Sequence, residues 1–272
     1  MPIARRTDSQ KEVLRLNGFS LSDCVAAIEE HARYDERRLR IYAARETNTE
    51  NIAVRRFGRA VAMRFSSVGY FNQVYHFDVD AVSRLGEVES FYAGLNFGPK
   101  IYVAADTDRP WVMARLRDAG YEPDHSMVRL ARSVSEPVST DCSDVEVSGL
   151  NPEEATQFFD LYLDAFGADP DPLKRSEALA NMSLLIRDPE LWFYEVKWQG
   201  ECAGIGILQF TGKQASFCGG ATKRAYRGQG VHRALIAKRI LHAQALGAER
   251  ISSWADKDGE SHKNLTRSGF RL

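Results

Sequence analysis

A chain of 272 residues has room for one large domain or two ordinary ones. With 44% hydrophobic and 27% charged residues it reads as globular rather than disordered, and a net charge of −1 excludes the strongly basic surface of a nucleic-acid or membrane binder. No apolar run reaches bilayer length, and the charged start Met1–Asp8 leads into no apolar core, so neither a span nor a secretory signal is expected and the predicted location is cytoplasmic.

In chain order, a helix is predicted from Ser20 to about Arg33, with Ser22 as N-cap and Val25, Ile28 and Ala32 at helical spacing. β-Branched and aromatic residues bounded by Gly and Asn predict strands at Ile52–Val54, Gly58–Phe65 and Tyr70–Phe77. Val82–Leu95 carries Leu85, Val88, Phe91 and Tyr92 on one side and reads as a helix. Lys100–Asp106 is a short buried strand, Trp111–Ala119 a helix ending at Gly120, and His125–Ala131 another strand. Ser133–Asp144 is rich in Ser, Pro, Thr and acids with no apolar period, and is expected to be an interdomain linker.

The second part opens on Val145–Val147 and then Asn151-Pro152-Glu153-Glu154, a helix start with Asn as N-cap, Pro at the first position and Glu at the third. Ala155, Phe158, Phe159, Tyr162 and Phe166 follow at helical spacing, and a break at Gly167–Pro172 precedes a helix over Leu173–Ile186. Trp192–Trp198 and Cys202–Phe210 are strands joined by a tight turn at Gln199-Gly200. Ala215–Thr222 is a strand, Gly230–Leu246 a helix stopped by Gly247, Arg250–Ala255 a strand and Glu260–Ser268 a helix.

Cys24, Cys142, Cys202 and Cys218 include no C-x-x-C pair, and the histidines show no His-Glu-x-x-His spacing, so reduced thiols and no metal site are expected. Asp256-Lys257-Asp258-Gly259 looks like a fragment of a calcium loop but lacks its first Asp and closing Glu.

The stretch Thr222–His232 stands between a strand and a helix and contains Arg227-Gly228-Gln229-Gly230. Glycines let a backbone turn sharply against a ligand, and the first N–H groups of a helix have no partner inside it, so this arrangement suits a phosphate. An ordinary strand-to-helix turn has the same spacing. The nucleotide triphosphatase loop (Gly-x-x-x-x-Gly-Lys-Ser/Thr) is absent, and the dinucleotide fingerprint is excluded because its third glycine position holds Arg233.

The loop resembles the acetyl-coenzyme A loop of the GNAT superfamily of N-acetyltransferases, whose pattern is Gln/Arg-x-x-Gly-x-Gly/Ala. Arg227 and Gly230 match it, and His232 stands where the pattern has a small residue. The likeness continues through Ala248–Trp254 to Ser268-Gly269-Phe270. It implies transfer of an acetyl group from acetyl-CoA to the amine of a small molecule, without a metal. Arg227, Gly228, Gln229, Gly230, Val231 and His232 would then meet the pyrophosphate. Gly220, Ala221 and Thr222 would offer a backbone edge to the pantetheine arm, on a strand that splays from its neighbour. The same resemblance implies cofactor contact for Asn264 and a cofactor or catalytic role for Ser261, on one helix face. Glu195 is the candidate general base, acting through water. Leu265 occupies the place where many members carry a Tyr, so the leaving thiolate is expected to lack a Tyr donor on the final helix. The carboxylates of Asp160, Asp164, Asp169 and Asp171 would draw a cationic amine. The expected partners are thus a small-molecule amine, with no nucleic acid and no membrane and a homodimer left open. An acyltransferase using a longer acyl-CoA or an acyl carrier protein, and a non-catalytic acyl-CoA-binding module, stay open beside this reading.

The two halves also echo each other. Lys100-Ile101 and Ala105-Asp106 match Arg250-Ile251 and Ala255-Asp256, and Leu116–Tyr121 matches Leu265–Phe270, small-Gly-aromatic included. The expected fold is therefore α/β (α+β): two tandem acyl-CoA N-acyltransferase-like domains, each a mixed, mostly antiparallel twisted sheet flanked by helices. Residues 1–132 would be a degenerate copy, 133–144 the linker, and 145–272 the domain with the acetyl-CoA site. In the first copy Asp78-Val79-Asp80-Ala81 stands in place of a glycine loop, and acids repel a pyrophosphate, so one site per chain is expected. The first copy runs on past Tyr121 into a further strand, whereas Phe270 is followed only by Arg271 and Leu272. Either another segment completes the second sheet or the chain is shortened.

Overall fold

The structure, a computed structural model, describes residues 21–47, 50–66, 68–96, 98–103, 109–124, 126–138, 144–150, 152–166 and 171–272, with residues 21–31 and 152 in backbone alone. Ser22, expected as an N-cap, lies inside α1, which already includes Leu21. The cap expected at Asn151, the repeat residues Ala105-Asp106, and Cys142, His125 and Asp169 lie outside what is described. None of the described helices is long and apolar enough to cross a membrane.

The first half comprises α1 (Leu21–Ala43), β1 (Ala53–Phe57), β2 (Ala60–Arg64), β3 (Gln73–Phe77), α2 (Val79–Val82), α3 (Leu85–Tyr92), β4 (Lys100–Val103) and α4 (Arg109–Asp118). Its sheet has the order β1-β2-β3-β4, antiparallel until the last pair, which is parallel. After β5 (Met127–Ser133) come β6 (Val145–Gly149), α5 (Ala155–Ala165), α6 (Pro172–Ser183), β7 (Leu191–Trp198), β8 (Glu201–Thr211), β9 (Gln214–Thr222), α7 (Val231–Ala245), β10 (Arg250–Asp256) and α8 (Glu260–Arg267). The second sheet has the order β5-β10-β9-β8-β7-β6.

Strands β1 to β4 repeat the order and senses of β7 to β10: two antiparallel pairs, then a parallel pair crossed by helix. The helices after β4 and β10 also end alike. Gly120 and Gly269 adopt φ of 88° and 86°, and the next amide reaches back to Leu116 O at 3.0 Å and Leu265 O at 3.1 Å. This is the left-handed helix stop that small-Gly-aromatic encodes, with the aromatic closing the turn.

The halves are not separable at the expected boundary. β5, read from sequence as the last strand of the first half, pairs antiparallel with β10 along its whole length, from Met127↔Asp256 to Ser133↔Arg250. Arg271 then hooks onto the other edge of β5 through paired bonds with Ala131, each 2.8 Å. Another segment does complete the second sheet, and it comes from before the expected linker. The start of that linker is also packed: Val134 and Val138 lie against the second core, and buried Arg132 donates to the carbonyls of Ser268 (2.5 Å) and Glu136 (2.6 Å).

Helix α1 runs ten residues beyond its predicted end. The added turns are highly charged, yet Asp35 is 1% and Arg38 2% exposed. Arg38 pairs with Asp35 at 2.5 Å, and Tyr75 donates to the other oxygen of Asp35 at 2.8 Å. On another side of α1, Arg37 holds Asp188 (2.5 Å) and Glu190 (2.9 Å) of the second half. One apolar core accordingly runs through both halves, joining Leu39 and Tyr42 of α1, Tyr75 of β3, Phe159 of α5 and Phe193 of β7.

Leu130→Ala in β5 empties a buried site of the second core and should cost about 2–4 kcal/mol in urea unfolding. Hydrogen exchange should quicken in the amides of β10 before those of β2; the opposite order would assign β5 to the first sheet.

Candidate functional site

Parallel strands β9 and β10 pair only from Gln214↔Arg250 to Phe217↔Ser253, after which they part. β9 stays paired to β8 up to Thr222, and β10 stays paired to β5 up to Asp256, so each keeps one partner and loses the other. The parting coincides with a β-bulge. The register of β9 on β8 slips between Ile207↔Cys218 and Gly206↔Gly220, leaving Gly219 as the extra residue, and a bulge bends its strand. Glycine is required there by packing, since a methyl on Gly219 would come within 2.6 Å of the Tyr162 ring. Across the bulge, Arg239 of α7 donates from Nη1 to Ile207 O (3.1 Å) and Cys218 O (3.3 Å) and lies over the Phe217 ring. Burial pushes this guanidinium down to about 10, so it stays charged at neutral pH.

Beyond Thr222 the chain makes a short 3-10 turn, Arg224–Tyr226, and enters α7 through Gly228 and Gly230 at φ of 83° and 80°. Gly230 is the N-cap, with no side chain to satisfy the helix. The helix begins its own bonding at Ala234 N, which donates to Gly230 O at 2.9 Å, so the N–H groups of Val231 and His232 have no helical acceptor. A methyl at Gly228 or Gly230 would meet nothing within 4 Å, so the loop faces open space.

The splay opens into a cavity of about 700 Å³ that passes between the strands. At the α7–α8 mouth it is walled by His232, Ser261 and Leu265. Its waist is Cys218–Gly220 and Ser253–Asp256, and its far chamber is formed by Tyr34, Arg38 and Tyr42 of α1, the segment around Phe71, and Tyr162 and Phe166 of α5. Both halves therefore build the chamber. His232 turns inward rather than over the loop. Its Nδ1 lies 3.1 Å from Asn264 Nδ2, while Arg267 donates to Asn264 Oδ1 at 3.2 Å. With the amide oriented by Arg267, Asn264 donates to His232 and the ring proton sits on Nε2. Burial, and secondarily Arg239, pushes the imidazole down to about 4, so it is neutral at physiological pH.

Residues 155–270 match the model of the acetyltransferase (GNAT) family. The second half is a GNAT-family acetyltransferase domain. Three solved structures share the fold across both halves. They are a GCN5-related N-acetyltransferase from Sphaerobacter thermophilus (17% identity, 87% of this chain and 81% of that one, TM-score 0.58), one from Kribbella flavida (15%, 88% and 91%, 0.57), and a conserved protein of unknown function from Staphylococcus epidermidis (11%, 82% and 90%, 0.55). At such identities the likeness is one of fold. No curated protein matches the chain.

The GNAT domain gathers some of the residues read from sequence and not others. Gly220 lines the waist, Ala221 and Thr222 follow it on the edge that β10 leaves, and Arg227, Gly228 and Gln229 are exposed in the loop. Val231 offers only its backbone, since its side chain is buried in the second core. Ser261 lines the mouth, whereas the Asn264 amide is engaged by His232 and Arg267. Glu195 is not brought to the cavity: it pairs with Lys197 at 3.3 Å on β7. The acidic cluster is likewise used internally, Asp160 and Asp164 by Arg175 (2.8 and 2.9 Å) and Asp171 as the N-cap of α6. Tyr162 and α1 were missed as cavity wall. Tyr162 sits at the spacing of a core residue, and no short motif marks Arg38.

The depressed His232 gives a stability prediction. Above about 6.5 the ring is neutral folded and unfolded; between that value and about 4 only the unfolded chain binds the proton. Stability should therefore fall as pH drops through this window, by on the order of 1–3 kcal/mol from this group. Urea midpoints at pH 7 and 4.5 should differ more in the native protein than in His232→Phe, and equal differences would count against the buried neutral ring.

Proposed function

We propose that the protein is an N-acetyltransferase that uses acetyl-CoA at one site per chain, in the second half, and acetylates the amine of a small molecule held between the halves. The observation that carries this reading is the start of α7 at Gly230, which has no side-chain cap and stands two residues before His232 in the cavity wall. The loop N–H groups and the positive end of the helix suit a pyrophosphate, and the edge of β9 from Gly219 to Thr222 offers backbone groups to an extended amide-bearing arm. The acetyl thioester would supply an activated acyl group at the waist. There the bulged stretch Cys218–Gly220 lines the cavity, and backbone N–H donors fixed at such a place favour a developing oxyanion.

The first half supports the count of one. In its topologically equivalent place, Asp78 Oδ1 accepts from Ala81 N at 3.0 Å and caps α2, so that helix start is already satisfied by a carboxylate. We read the first half as a copy that has given up phosphate binding and kept a role as chamber wall. In the cavity wall the carboxylates are Glu177, tied to Arg45 at 2.6 Å, and Asp256 at the splayed end of β10. Asp256 replaces Glu195 as the group assigned to receive the amine proton. The volume and aromatic lining of the chamber favour one variant, a longer acyl group, which mass spectrometry of ligand copurified with the protein would reveal.

Calorimetric titration with acetyl-CoA should give one site. Gly230→Val forces a β-branched residue to positive φ at the proposed pyrophosphate contact and should weaken binding at least about tenfold, or roughly 1.4 kcal/mol; unchanged affinity in a folded variant would put the phosphates elsewhere. With acetyl-CoA and an amine panel, free thiol should appear only when an acceptor is present. Asp256→Asn should then lower kcat by about 10²-fold or more with acetyl-CoA affinity kept. Full activity in that variant would remove Asp256 from the mechanism.

A further inference from the structure

The α7–α8 mouth holds one polar group that the reading above leaves without a task. His232 lies two residues past the cap Gly230 and lines the cavity together with Leu265 and Ser261. An arm anchored by its phosphates at Gly230 and running along the edge of β9 would bring its sulfur and the attached acyl carbon into this cavity. The groups lining this mouth are unequal as donors. Leu265 has no polar hydrogen. Arg239 lies deeper, with Nη1 already shared by two carbonyls. Ser261 is exposed. His232 is held in one tautomer by Asn264, itself oriented by Arg267, and its Nε2–H has no protein partner among the described residues.

Resting on the acetyltransferase reading, we infer that the Nε2–H of His232 is the hydrogen-bond donor to the thioester sulfur and to the thiolate it becomes, with Asn264 as its positioning residue. As the amine nitrogen bonds to the acyl carbon, the C–S bond breaks and its electron pair leaves on sulfur. The net proton moves from nitrogen to sulfur through Asp256 and water, while His232 keeps its own proton throughout. A neutral imidazole can donate in this way without being an acid. Burial keeps it neutral, so the donor is available across the working pH range. A hydrogen bond to a charged sulfur is stronger than one to a neutral thiol, so the contact favours departure of the thiolate.

The test uses coenzyme A itself as the probe. The thiolate absorbs in the ultraviolet, so the acidity of the bound thiol can be titrated on the intact protein. Bound coenzyme A should ionise about one pH unit below the free thiol, a tenfold gain in acidity. His232→Phe should abolish the shift while coenzyme A still binds. His232→Gln should restore most of it, because its Oε1 can accept from Asn264 while its own amide donates. Independently of any variant, nitrogen NMR of histidine-labelled protein without ligand should show Nε2 protonated and Nδ1 bare at pH 7. A bound thiol no more acidic than the free one, an unchanged shift in folded His232→Phe, or a proton on Nδ1 would each overturn the inference. Failure of coenzyme A to bind the native protein would instead overturn the acetyltransferase reading beneath it.

Discussion

Two parallel strands that separate inside a protein leave backbone groups that must be satisfied by something other than each other. Buried N–H and C=O groups without partners cost about 1–3 kcal/mol apiece, so a splay persists only where it is held open and where its edges are used. Here three features hold it. The bulge at Gly219 turns β9 away, β5 keeps β10 straight by pairing along its full length, and Arg239 ties the carbonyls of Ile207 and Cys218 across the bulge. A buried guanidinium with no carboxylate partner among the described residues is an expensive way to brace two strands. Its presence makes sense if the open geometry matters more than the stability lost to it.

That constraint explains why the halves cannot be pulled apart. The second sheet needs β5 beside β10, and β5 is reached from the first half. The cavity opened by the splay needs a far wall, which α1 supplies by turning Tyr34, Arg38 and Tyr42 toward it. Asp35 and Arg38 of α1 are then buried and answer each other, Asp35 also accepting from Tyr75, while half-buried Arg37 pairs with Asp188 and Glu190. Removing one partner would strand a buried charge. The network therefore specifies the docking of the halves more than it adds to their stability.

Legibility followed the same division. Elements governed by local rules were readable: the Gln199-Gly200 hairpin, the stops at Gly120 and Gly269, the two-part α/β fold and the loop glycines, because φ above zero or a period of two or 3.6 writes itself into residue type. What depended on distant partners was not. The second half of α1 lay beyond the predicted helix end at about Arg33, and nothing local announces that Asp188 waits 151 positions away for Arg37. β5 carried a correct strand pattern and an unreadable partner, since pairing across the halves leaves no periodic trace. His232 departed from the loop pattern, and only the fold shows that its side chain leaves the loop for Asn264. Glu195 stands on β7, paired with Lys197 and outside the cavity lining.

The two helix starts that follow β3 and β9 give the comparison its physical content. Both stand at the same point of the same topology, and both leave N–H groups that require acceptors. In the first half Asp78 provides the acceptor from within, which stabilises the helix by about 1 kcal/mol and closes the place to any outside anion. In the second half Gly230 provides none, and the helix forgoes that stabilisation. A start left uncapped beside a braced splay is a cost with no structural return. The capped start of α2 shows that a helix at this point of the topology can take a side-chain cap. The difference between Asp78 and Gly230 is thus one of residue type at equivalent places, an internal carboxylate acceptor in one half and a bare backbone in the other.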